Sequence, residues 1–135
     1  MMFLLLGCIP QTLLMQVAVQ GEVTTSGSGE LYAELHHAEG GTGTLTHPGG
    51  WLMDFTIASS GVYSVTLDVP VEEGSGLALY VWQDTDGDGV LCGLGQDEEL
   101  AGAAVDAELG FAMLLDVTLA PYADLDAEAV RCVEP

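Results

Sequence analysis

The residues best suited to chemistry in this chain are three aspartates at strict alternation, Asp84-Thr85-Asp86-Gly87-Asp88-Gly89. Carboxylates one residue apart converge when the backbone curls, and glycine permits the sharp turn. A hard cation such as Ca2+ asks for roughly six to eight oxygen ligands, and a loop of this type supplies them. The Val90 carbonyl is the next ligand in order. Gly95 stands where an EF-hand carries its bidentate glutamate, and a strand rather than a helix leads into Asp84, so the loop is not an EF-hand. A final carboxylate must fold back from Asp97, Glu98 or Glu99, and Glu98 is the expected one. The expected cofactor is therefore Ca2+ on Asp84, Asp86, Asp88, Val90 and Glu98. The plainer alternative is a turn made of the Asp and Gly that turns prefer, although three Asp at this spacing exceed what a turn needs.

Other constellations carry less. His36, His37 and His47 invite a transition metal, and Glu34 shares a face with His36, but adjacent strand residues point to opposite faces, which separates His36 from His37. Ser59-Ser60-Gly61 lacks the GxSxG context and a nearby histidine, so hydrolase chemistry has no nucleophile and base pair. No catalytic residue is assigned and the chain is not expected to be an enzyme. Tyr80 and Trp82 could form a rim for a glycan or small ligand. Trp51 shares its alternation with Met53 and Phe55 and is expected in the core.

These residues need strands to position them. Apolar residues alternate at Val17, Val19 and Val23, then at Leu31, Ala33 and Leu35 after the turn Ser26-Gly27-Ser28-Gly29, which predicts two strands joined as a hairpin. The Gly- and Thr-rich stretch 37–50 reads as a loop. Alternation resumes at Trp51, Met53, Phe55 and Ile57, at Tyr63 to Val69, and at Leu77, Leu79 and Val81, the last run delivering the chain into Asp84. Phe111 to Leu119 predicts one final long strand. Short strands with regular turns indicate an all-β fold, a single β-sandwich of immunoglobulin-like or transthyretin-like type with about six or seven antiparallel strands.

At the N-terminus, Leu5-Leu6-Gly7-Cys8 ends an apolar run and resembles the lipobox of bacterial lipoproteins. That resemblance implies cleavage before Cys8, a diacylglycerol anchor on its thiol, and export; Ile9 at the next position implies the outer membrane or cell envelope. The division expected is a signal segment at 1–8, a tether at 9–16, the sandwich at 17–120 and a C-terminal tail at 121–135. With Cys8 lipidated, Cys92 and Cys132 remain as an even pair in an oxidising compartment, and a disulfide between them would pin the tail beside the aspartate loop.

The aspartate loop after Tyr80-Val81-Trp82-Gln83, together with Gly29-Glu30-Leu31-Tyr32-Ala33-Glu34-Leu35, is similar to the small transthyretin-like modules of bacterial exported proteins, over residues 17–119. The resemblance implies Ca2+ binding and surface display rather than catalysis.

Charge narrows the partners. Among 135 residues, 21 Asp and Glu face a single Lys or Arg, for a net charge of -20. Nucleic acid is excluded, because phosphate binding needs cations on the protein. An anionic lipid surface is disfavoured as a direct partner, leaving a lipid at Cys8 as the expected membrane link. The reading this supports is a non-catalytic, surface-displayed calcium-binding domain with a structural, adhesion or partner-binding role. The alternatives are a carbohydrate- or small-ligand-binding module of the envelope, or an acidic, salt-adapted structural protein without a metal site.

Overall fold

Alternation in Leu14–Thr24 becomes burial alternation in the fold: Val17, Val19 and Val23 are buried, while Gln16, Ala18, Gln20, Glu22 and Thr24 are exposed. The computed structural model describes residues 13–38, 51–71, 76–85, 87 and 99–121, and among them every regular element is a strand. In chain order these are β1 (Leu14–Thr24), β2 (Glu30–Ala38), β3 (Trp51–Ile57), β4 (Val62–Pro70), β5 (Gly76–Asp84), β6 (Leu100–Asp106), β7 (Ala112–Leu114), β8 (Val117–Thr118) and β9 (Ala120–Pro121). They form one β-sandwich. One sheet runs β4-β1-β7 with β8 also on β1; the other runs β3-β2-β5-β6-β9. Between them lies a core that includes Val17, Val19, Leu31, Leu35, Leu77, Leu79, Val81 and Met113.

The Ser26–Gly29 turn does not make a hairpin. Strand β1 pairs with β4, and β2 pairs with β3 and β5, so the turn carries the chain from one sheet to the other. The reason is that β1 and β2 each have one strongly apolar face, and both faces are buried when the strands oppose one another across the core. Gln83 holds the crossing. Its amide donates to the Gly29 carbonyl at 3.1 Å, and its Oε1 accepts from the Thr25 hydroxyl at 2.6 Å. Gly29, at φ 125°, lies so near the Asp84 carbonyl that no Cβ fits.

The expected single strand from Phe111 to Leu119 is interrupted. Strands β7 and β8 run parallel to β1 in one register, Ala18 facing Ala112 and Val23 facing Val117. At the break, the Tyr63 hydroxyl donates to the Leu115 carbonyl and Asp116 Oδ1 accepts the Glu22 N–H at 2.9 Å. Side chains thus complete what the ladder leaves open there. The chain then changes sheet, and β9 pairs with β6.

Strand β6 has no counterpart in the sequence reading. Its run Leu-Ala-Gly-Ala-Ala-Val-Asp is built of residues with low strand preference and weak contrast between faces. Trp51 is also corrected: it is 59% exposed rather than core. A bulge between the β2 and β3 registers places Leu35 opposite Met53 and His36 opposite Trp51, so Leu52 and Met53 both reach the core and Trp51 turns outward.

Candidate functional site

Strand β5 positions both groups of residues singled out by the sequence, and it is buried along nearly its whole length. Leu77, Leu79, Val81 and Gln83 face the core, whereas Ala78, Tyr80, Trp82 and Asp84 alternate onto the other face.

Asp84 ends the strand, 6% exposed, with Glu30 directly across on β2. Its Oδ1 accepts the Gly87 N–H at 3.1 Å, and Gly87 adopts φ 76°, so the backbone curls around this first carboxylate. Glu99, one of the three candidates for the closing ligand, is 2% exposed and directly precedes β6, one position beyond the Gln83–Leu100 pair. It therefore arrives at the same end of the sheet as Asp84. Asp86, Asp88, Val90, Asp97 and Glu98 lie outside the described residues, as do Cys8, Cys92, Cys132 and His47. Among the described residues, no three His, Cys, Asp or Glu side chains are gathered closely enough to hold a metal. Asp84 is thus the one member of the expected ligand set that is described, and its carboxylate chemistry suits a hard cation.

Two positions back on the same face, Trp82 stacks on Tyr32, with ring centroids 4.6 Å apart and planes 20° from parallel. The register makes this inevitable, since β2 and β5 place Tyr32 opposite Trp82. Tyr80 does not join this stack. It is buried, meets the His36 ring edge-on at 5.3 Å, and its hydroxyl has no hydrogen-bond partner among the described residues. Burial pushes the Tyr80 hydroxyl pKa up, and the nearby Glu34 charge adds to it.

Beside the stack is an open cavity of about 360 Å3 lined by Tyr32, Glu34, Asp54, Phe55, Thr56 and Trp82. Glu34 and Asp54 are directly opposite across β2 and β3. Glu34 also lies 3.3 Å from His36 Nε2, and Asp54 Oδ1 accepts the Trp51 indole N–H at 2.7 Å. The Tyr32 hydroxyl donates to Glu30 at 3.0 Å; that bond raises its pKa, with burial and the charges of Glu30 and Asp84 adding to it. Tyr32 was missed by the sequence reading although it shares an alternation face with Glu34 and His36, because only the β2–β5 pairing brings it to Trp82. Ser60, set aside as a nucleophile, uses its Oγ to accept the Val62 N–H at 3.4 Å in the turn before β4.

No family model, curated protein or solved structure matches the chain.

Proposed function

We propose that this chain is a non-catalytic, surface-displayed calcium-binding domain, tethered through a lipid on Cys8, in which the ion fixes the loop that follows β5. The observation that supports this reading is the turn at Asp84: a buried carboxylate at a strand end, with its oxygen accepting the Gly87 N–H and Gly87 in the left-handed region. Asp86 and Asp88 follow in this loop at the spacing that lets their carboxylates converge with Asp84, and Val90 would add a carbonyl. Of Asp97, Glu98 and Glu99, the three candidates for the closing carboxylate, Glu99 reaches the same sheet end as Asp84. The ion's contribution is to offset repulsion in a chain of net charge -20 and to hold the loop for a partner.

The test is a thermal melt of the chain from Ile9 onward, with excess Ca2+, with equal Mg2+ and with chelator. At a free Ca2+ concentration ten times the dissociation constant the fold gains about 1.4 kcal/mol. Asp86→Ala removes that gain and leaves the melt in chelator unchanged. An equal loss for Asp86→Ala with and without Ca2+ would sink the reading.

A further inference from the structure

We infer that the cavity beside the Tyr32–Trp82 stack is a docking site for an arginine side chain presented by a partner peptide. The inference is independent of the calcium reading, because none of the lining residues is in the proposed ligand set.

The cavity combines three features that a guanidinium satisfies together. Stacked Tyr32 and Trp82 supply aromatic surface on its wall, and a planar, weakly hydrated cation gains most from such surface. Glu34 and Asp54 face each other across neighbouring strands, an arrangement of like charges that costs stability unless a cation lies between or beside them. A guanidinium fork is the side-chain group that can engage two carboxylates at once while lying flat on a ring. The volume, about 360 Å3, is at the lower end of the range of roughly 300–1,000 Å3 typical of ligand sites, which suits one side chain better than a folded surface.

Charge complementarity selects the occupant. The chain has one Lys or Arg, Arg131, against 21 Asp and Glu, so its surface favours a cationic partner, and Arg131 itself is the competitor that the test must separate. Among the described residues the basic group beside these carboxylates is His36, 3.3 Å from Glu34. Glu30, outside the lining but bonded to the Tyr32 hydroxyl, adds a third carboxylate nearby. A neutral sugar would find the aromatic wall but would leave the opposed carboxylates unneutralised, and an anion would be repelled by all three.

The experiment titrates the full chain, in chelator and at physiological salt, with capped Gly-Arg-Gly. Binding is read from the indole N–H resonances of Trp82 and Trp51, which NMR separates. The expected result is a saturable shift of the Trp82 resonance that weakens about tenfold when citrulline replaces arginine. The double variant Glu34→Gln, Asp54→Asn gives a similar loss. A control of equal net charge, Asp68→Asn with Glu108→Gln, retains binding. Both double variants remove charge without removing volume, and their melts confirm folding.

Equal loss in the control pair would reduce the effect to the general field of an acidic protein and overturn the site. Equal binding of the citrulline peptide, or a Trp82 shift with a neutral glycan panel, would make it a site for uncharged ligands. A shift that appears only in Arg131→Gln would assign the cavity to the chain's own arginine, and no shift in any arm would also overturn the proposal.

Discussion

The two faces of β5 differ in kind. Toward the core, Leu77, Leu79 and Val81 are aliphatic, almost completely buried and packed against residues of the facing sheet. On the opposite face, Tyr80, Trp82 and Asp84 bring aromatic and acidic groups into line with Tyr32, Glu34 and Glu30 of the neighbouring strand. One face holds the sandwich together and the other holds nearly all the groups with chemistry. A strand buried on both faces can do this, because the stiffness supplied by the core face fixes the spacing of the groups on the other.

The core face of β5 is weakened most at Leu79, which is fully buried. Leu79→Ala removes methyl groups from the centre of the core and leaves a cavity, at a cost of about 2–5 kcal/mol. A urea unfolding midpoint measures it. A loss under about 1 kcal/mol would mean the core face is not what fixes β5.

Gln83 is a polar residue on that same core face, beside the point where the chain changes sheet. Gln83→Ala removes the amide bonded to the Gly29 carbonyl and the oxygen bonded to Thr25. Thr25 is half-buried and Gly29 exposed, so water can reach both partners, and the expected loss is that of two ordinary hydrogen bonds, about 1–2 kcal/mol in all. The variant should also speed hydrogen exchange in residues 25–29 more than in β1. Uniform exchange would place the crossing's stability elsewhere.

Where such polar exceptions fall explains how much of the molecule could be read from the sequence. Alternation alone located β1 to β5, through contrast between apolar and polar positions in β1 to β4 and through the aliphatic series Leu77, Leu79 and Val81 in β5. It did not locate β6, whose alanines and glycine offer no such contrast, and it merged β7 with β8 because the break depends on Tyr63 and Asp116 acting at a distance. Trp51 was misplaced by a bulge, which shifts the phase of alternation without changing residue type. The turn at Asp84 was legible because the residues that make it are close in sequence. The Tyr32–Trp82 stack was not, because it joins residues that only strand pairing brings together.

The facing sheet has its own polar exception in Tyr63, whose hydroxyl donates to the Leu115 carbonyl. Burial pushes its pKa well above the ordinary tyrosine value, with the Asp116 charge adding to it. Because the folded value exceeds the unfolded value of about 10, the native state holds this proton more tightly. The resulting stabilisation is fully present below about pH 10 and is lost as pH rises through the folded value. Tyr63→Phe should cost about 1 kcal/mol at neutral pH through the lost hydrogen bond. It should also flatten the alkaline decline, with Tyr80 responsible for part of what remains. Urea midpoints at neutral and alkaline pH read both effects, and parallel declines in the two proteins would remove Tyr63 from the account.

The smallest expected effect carries the opposite sign. Asp54 is exposed and sits across from Glu34, so the pair repels, and Asp54→Asn removes the repulsion while its amide oxygen still accepts the Trp51 indole N–H. Cross-strand like charges cost a few tenths of a kcal/mol, so this substitution should raise stability by that much in low salt. Screening should erase the gain as salt rises above the point where the Debye length falls below the separation of the two groups. The face that carries the acidic and aromatic groups is therefore the one that can be stabilised by deleting a charge, whereas the core face can only be weakened by deleting atoms. If Asp54→Asn destabilises at every salt concentration, the carboxylate is holding the outer face together, and the opposition between the two faces of β5 does not extend to β3.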